Sequence, residues 1–180
     1  MNLPNKLAVL RIILVIPFVL LLCGGYSVDG AIGYLLRVVS FWIFLGAAIT
    51  DYLDGQIARS RNLVTNLGKL LDPLADKILV LSALLVFVKY EKVCLWIVIL
   101  ILFRELAITG LRSIAASEGV VIAAETLGKW KTVSQMAAII LIILLPVNIW
   151  SGSFIMLIPL VLTLLSGYEY FQNCKSILDK

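Results

Sequence analysis

The sequence predicts an all-α integral membrane protein: six transmembrane helices around a polar cavity open to the cytoplasmic side. Three observations carry that expectation. Of 180 residues, 62% are hydrophobic and 14% charged, with a mean hydropathy of +1.07, well above the roughly 45–50% apolar content of soluble domains. The apolar residues gather into six runs, each near the roughly 20 residues that cross hydrocarbon as a helix. Four aspartates nonetheless fall within two of those runs, and intramembrane carboxylates point to functional sites. The length suits a single domain over residues 1–180, with no linker rich in Pro, Gly or Ser, no internal repeat and no low-complexity segment.

The first run, 7–23, carries Arg11 and closes at Cys23-Gly24-Gly25 without a small-x-small cleavage pattern, so it is expected to be a retained span. Gly24-Gly25 with Ser27 to Gly30 reads as a loop, and the second run, 33–58, ends in the aspartates Asp51 and Asp54. After Ser60 to Asn66, the third run, 67–89, opens with Gly68, Asp72-Pro73 and Asp76. Lys89 to Lys92 lead into the fourth run, 93–113, which holds Arg104 and Arg112. The polar stretch Ser117 to Lys131 precedes the fifth run, 130–147, and Asn148 to Ser153 reads as the loop before the sixth, 153–172. Trp42, Trp96, Trp130 and Trp150 are read as interfacial anchors near span ends. Pro17, Pro146 and Pro159 are read as kinks or span-end features.

Placing the amino terminus in the cytoplasm gives that side Lys6, Arg11, Arg59, Arg61, Lys69, Arg112, Lys129, Lys131, Lys175 and Lys180. The other side receives only Arg37, Lys89 and Lys92. This asymmetry fits the positive-inside rule with both termini cytoplasmic. A formal net charge of +4 suits an anionic lipid surface. The basic residues are scattered over loops and form no nucleic-acid-reading motif, so nucleic acid is not an expected partner. Cys23, Cys94 and Cys174 are distant and make no C-x-x-C pair, which suggests neither a disulfide framework nor a zinc site. The chain has no histidine, so acid-base chemistry falls mainly to carboxylates.

The chemistry-bearing residues follow the order Asp51-x-x-Asp54-Gly55-x-x-Ala58-Arg59, eight residues, Gly68-x-x-x-Asp72-x-x-x-Asp76. Spacings of three and four place Asp51, Asp54, Gly55 and Ala58 on one helix face, and Gly68, Asp72 and Asp76 on another. Two adjacent antiparallel helices would bring the four carboxylates to one pocket. Like charges about 4 Å apart repel by roughly 4 kcal/mol at an effective dielectric near 20, so such a cluster calls for protonation or a divalent cation. All-oxygen ligation suits Mg²⁺, Mn²⁺ or Ca²⁺. Gly55, Ala58 and Gly68 remove bulk where a nucleotide could lie against the backbone, and Arg59 offers fixed donors to a phosphate or base. Asp72 before Pro73 also fits a helix N-cap, and Gly55 or Gly68 fits close helix packing. Neither accounts for four acids at this double spacing. A cation-coupled transporter is the rival class, but there is no evident inverted repeat and the acids gather near one membrane side.

These residues match, position for position, the signature of the CDP-alcohol phosphatidyltransferase family, and the six-helix layout extends the resemblance over nearly the whole chain. The resemblance implies a homodimeric membrane enzyme, in the cytoplasmic membrane, that moves a phosphatidyl group from CDP-diacylglycerol to an alcohol and releases CMP. It implies Mg²⁺ or Mn²⁺, as two ions, held by Asp51, Asp54, Asp72 and Asp76, with Asp76 also the general base. It places Asp51, Asp54, Gly55, Ala58, Arg59, Gly68 and Asp72 around the cytidine diphosphate. Three further stretches are similar to those of bacterial members that use glycerol 3-phosphate: Asn2 to Leu7 with Arg11, Phe103-Arg104-Glu105 with Arg112, and Leu127 to Thr132. The amino-terminal stretch has Ala8 where those members commonly have threonine. An anionic acceptor needs cations, and Arg104, Arg112, Lys129 and Lys131 are available for its phosphate; the plain alternatives are that Arg104 pairs with Glu105 or another intramembrane acid and that Lys129 and Lys131 meet lipid headgroups. Phosphatidylglycerol, serine and inositol phosphate are the alternative acceptors within the family.

Overall fold

The computed structural model describes the backbone of residues 3–60, 66–117 and 126–178, and the side chains of residues 8–50, 75, 77–112 and 127–172. The described residues form six helices: α1 (Leu3–Ser27), α2 (Gly30–Ser60), α3 (Asn66–Lys89), α4 (Leu95–Ser117), α5 (Thr126–Leu144) and α6 (Ile149–Leu178). Four are long and apolar enough to cross a membrane, over Ala8–Ser27, Gly30–Thr50, Leu127–Leu144 and Ile149–Gln172. In the other two the apolar run is interrupted by charge: α3 carries Lys69, Asp72, Asp76 and Lys77, and α4 carries Arg104, Glu105 and Arg112. The helices divide between two compact units, Met1–Tyr90 with Ile143–Leu145, and Glu91–Ile142 with Pro146–Lys180.

In the first unit, α1 packs on both α2 and α3. Its buried stripe runs Ala8, Arg11, Val15, Phe18 and Leu22, the three-four spacing of a single helix face. Gly24-Gly25, expected to break the helix, instead lies inside it, and α1 continues to Ser27. The glycines are there for close approach. A Cβ on Gly25 would lie 2.5 Å from Arg37 Cγ and 3.1 Å from the Gly33 carbonyl oxygen, and one on Gly33 would lie 1.8 Å from the Val28 oxygen. Gly30 opens α2 at φ 79°, a backbone conformation that glycine adopts without a Cβ penalty. Further along the hairpin the Phe18 and Phe44 rings meet at 5.7 Å. Tyr26 meets Phe87 of α3 and Tyr90 just beyond its end, and the Ser27 and Tyr90 hydroxyls hydrogen-bond at 2.7 Å.

In the second unit, α4 and α6 run alongside each other from their first residues. The Cys94 amide donates to Ser153 Oγ at 2.9 Å, and Lys92 Nζ donates to the Val147 carbonyl at 3.0 Å. Asn148 to Ser153 was expected to be a loop, yet α6 begins at Ile149. Asn148 Oδ1 accepts from the Trp150 and Ser151 amides at 3.0 and 2.9 Å, while the Asn148 amide donates to Ser151 Oγ at 3.0 Å. This reciprocal cap satisfies donors at the helix start and lets a polar stretch begin a helix. Pro146 disfavours helical geometry in the residue before it, and α5 accordingly ends at Leu144. Trp96 and Trp150 fall in the first turns of α4 and α6 and Trp130 near the start of α5, all exposed, whereas Trp42 is exposed but well inside α2.

Candidate functional site

Helix α2 is apolar in sequence as far as Thr50 and continues unbroken from Asp51 to Ser60. The first half of the motif therefore continues a long apolar helix and is not a loop. Ser40, Phe44 and Ala47 form the buried row of α2, and the same register, continued by fours and threes, passes through Asp51, Asp54 and Ala58. In α3 the buried row is Ala75, Leu79, Ala83 and Phe87. Stepping back from Leu79 by three and then four residues reaches Asp76 and Asp72. Both acid pairs thus occupy helix positions in line with the packed faces of one unit, whose helices α2 and α3 also contact each other.

The side chains of Asp51, Asp54, Gly55, Ala58, Arg59, Gly68, Asp72 and Asp76 lie outside the described residues. Among the described side chains, no group of three or more His, Cys, Asp or Glu is placed to hold a metal ion. The donor set offered by the motif is four carboxylates from two neighbouring helices, in a chain without histidine. That chemistry fits a hard divalent cation.

The expected acceptor residues all lie in the second unit, and two of them are brought together. Arg104 Nη1 donates to Glu105 Oε1 at 3.2 Å, and Lys131 Nζ donates to the same oxygen. Arg104 Nη2 also reaches Ser166 Oγ at 2.8 Å, so one guanidinium ties α4 to α6 while Glu105 ties α4 to α5. Gly167 makes room for this: a Cβ there would lie 3.0 Å from Arg104 Cγ. Lys131 is buried and Lys129 exposed. Arg112 is exposed and lies over the Tyr170 ring at 5.7 Å. It is not joined to the Arg104–Glu105–Lys131 group by any described hydrogen bond.

Sequence reasoning gave no role to Glu105 beyond a partner for Arg104, and it missed the buried polar side chains of α5 and α6. Buried Gln135 Nε2, Thr163 Oγ1 and the Tyr170 hydroxyl have no hydrogen-bond partner among the described residues, which is unusual for buried polar atoms. The available signal was the recurrence of Thr163, Ser166 and Tyr170 at three- and four-residue intervals inside an apolar helix.

The family model for CDP-alcohol phosphatidyltransferases matches residues 1–165. The chain belongs to the CDP-alcohol phosphatidyltransferase family. It is 41% identical to the CDP-diacylglycerol–glycerol-3-phosphate 3-phosphatidyltransferase of Bacillus subtilis, over 96% of this chain and 94% of that protein. A protein of the same name from Rickettsia typhi is 38% identical over 97% of this chain and 98% of its own length. The probable phosphatidylglycerophosphate synthase of Mycobacterium tuberculosis is 38% identical over 94% of this chain and 79% of its own. CDP-alcohol phosphatidyltransferases are membrane transferases and generally depend on a divalent metal, which agrees with the carboxylate donor set of α2 and α3.

Proposed function

We propose that this chain transfers the phosphatidyl group of CDP-diacylglycerol to sn-glycerol 3-phosphate, giving phosphatidylglycerol phosphate and CMP. The observation that carries the reading is the near full-length similarity to the Bacillus subtilis enzyme, together with an intact aspartate motif on α2 and α3. Asp51, Asp54, Asp72 and Asp76 hold Mg²⁺ or Mn²⁺, as two ions. When bound, the metal neutralises the diphosphate and stabilises the departing CMP.

The chain's own groups do the rest. Asp76 accepts the proton of the acceptor hydroxyl as that oxygen bonds to the phosphatidyl phosphorus and the bond from phosphorus to the CMP oxygen breaks. The displacement is direct, without a covalent enzyme intermediate. Gly55, Ala58 and Gly68 leave space for the cytidine diphosphate, and Arg59 donates to it. Arg104, Arg112, Lys129 and Lys131 supply cations for the acceptor phosphate. One carboxylate, Glu105, is shared by Arg104 and Lys131, which leaves that group with a surplus positive charge suited to an anion.

All six helices span the cytoplasmic membrane, with both termini and the polar cavity on the cytoplasmic side, and the enzyme works as a homodimer. Lipid tails enter from the bilayer and the acceptor from the cytoplasm. The test is CMP release and lipid product from purified protein with CDP-diacylglycerol, Mn²⁺ and a panel of acceptors. Glycerol 3-phosphate is expected to be used in preference to phosphatidylglycerol, serine and inositol phosphate; preference for one of those would reassign the acceptor. Arg112→Ala is expected to raise KM for glycerol 3-phosphate more than KM for CDP-diacylglycerol. An equal effect on both would remove Arg112 from the acceptor site.

A further inference from the structure

Arg11 is 2% exposed, in the middle of the α1 stripe that packs on α2 and α3. A buried guanidinium is unfavourable unless a negative charge offsets it. In the first unit the sequence supplies acids at Asp29, Asp51, Asp54, Asp72 and Asp76, and Asp29 belongs to the turn between α1 and α2, at the far end of the hairpin.

The register of the packed pairs decides which acids share its level. Gly25 lies against Arg37, and Phe18 against Phe44, so seven residues back along α1 correspond to seven forward along α2. Seven more in each direction reach Arg11 and Asp51. Helix α3 runs parallel to α1, with Phe87 against Tyr26, and fifteen residues back from each reach Asp72 and Arg11. At about 1.5 Å of rise per residue, a slip of two positions would change either level by only about 3 Å. Seven residues are also about two full turns, so Arg11 and Phe18 share a face.

We propose that Arg11 is the fixed cation of the aspartate site, a positioning residue that pairs with Asp51 of α2 and Asp72 of α3 and holds the two acid pairs together before metal binds. The assignment rests on the reading of the four aspartates as the metal and diphosphate site. It extends that reading by one residue, on a third helix and outside the motif. Because Arg11 shares its carboxylates with the incoming ion, it opposes metal binding while preventing the acids from repelling one another apart.

The experiment compares the full-length protein with Arg11→Met, Arg11→Lys, Asp51→Asn and the Arg11→Met/Asp51→Asn double variant, in detergent. Metal-free thermal stability and binding of Mn²⁺ alone are the two readouts. Arg11→Met is expected to lower the metal-free melting temperature, and the double variant to recover part of that loss; losses that simply add would overturn the pairing. Arg11→Met is expected to bind Mn²⁺ about fivefold tighter, since a repelling charge is gone, with Arg11→Lys close to wild type. Unchanged or weaker binding in Arg11→Met would overturn the assignment. If Arg11→Met does not fold, recovery of folded protein in the double variant supports the pairing, and no recovery overturns it. A wild-type protein that binds no Mn²⁺ would instead sink the metal reading of the aspartates, while the metal-free stabilities would still decide whether Arg11 pairs with Asp51.

Discussion

Removing the Glu105 carboxylate should destabilise the second unit more than removing either of its partners. Glu105 Oε1 accepts from Arg104 at 3.2 Å and from Lys131, and the three side chains are only 15, 13 and 10% exposed. At 3.2 Å and an effective dielectric near 20, the gross attraction of one such pair is about 5 kcal/mol. Breaking a buried pair by deleting one member has a net cost of about 3–5 kcal/mol. Glu105→Ala should therefore cost at least about 3 kcal/mol, because it strands two cations at once. In a domain of this length that corresponds to a fall of roughly 6–12 °C in Tm. Lys131→Met leaves Arg104 paired and should cost less. Combining Glu105→Ala with Lys131→Met should recover part of the loss, since one stranded cation is then gone. Thermal unfolding followed by tryptophan fluorescence in detergent reads all three variants. Glu105→Ala within about 0.5 kcal/mol of wild type, or a double variant with fully additive losses, would refute the reasoning.

Two glycines of α6 should respond differently to the same substitution. Gly152→Ala puts a Cβ 2.0 Å from the backbone oxygen of Lys92, so the starts of α4 and α6 must part, at a cost of about 1–3 kcal/mol in thermal unfolding. Gly167→Ala meets the flexible Arg104 side chain at 3.0 Å and should cost well under half as much; a reversed order would contradict the packing. Asp76→Asn is expected to lower CMP release by at least about a hundredfold while CDP-diacylglycerol binding is largely kept. Near-normal turnover in that variant would move the general base elsewhere.

What was legible in the sequence is what is local. The placement of the aspartates on two helices was legible because their spacing by threes and fours is written along single helices, and the apolar runs located all six helices to within a few residues. The misread stretches share one cause. Gly24-Gly25 looks like a break, but its role is to admit Gly33 and Arg37, which only the folded hairpin brings near. Asn148 to Ser153 looks like a loop, but Asn148 and Ser151 cap each other. Lys131 reads equally well as a headgroup contact, and its burial depends on Glu105, 26 residues away. Arg11 looked like one more cytoplasmic cation, and its burial follows from the packing of α1 on two helices. A hydropathy profile records none of these pairings, neither the short-range cap nor the tertiary contacts.

The central claim is that the acids of α2 and α3 form one divalent-metal site on which turnover depends. It is tested most directly by stripping the purified protein with chelator, supplying CDP-diacylglycerol and glycerol 3-phosphate, and following CMP as Mn²⁺ is added back. The account predicts no CMP above background in chelator and recovery that saturates with Mn²⁺, lost in Asp72→Asn. Full turnover in thorough chelator would contradict it.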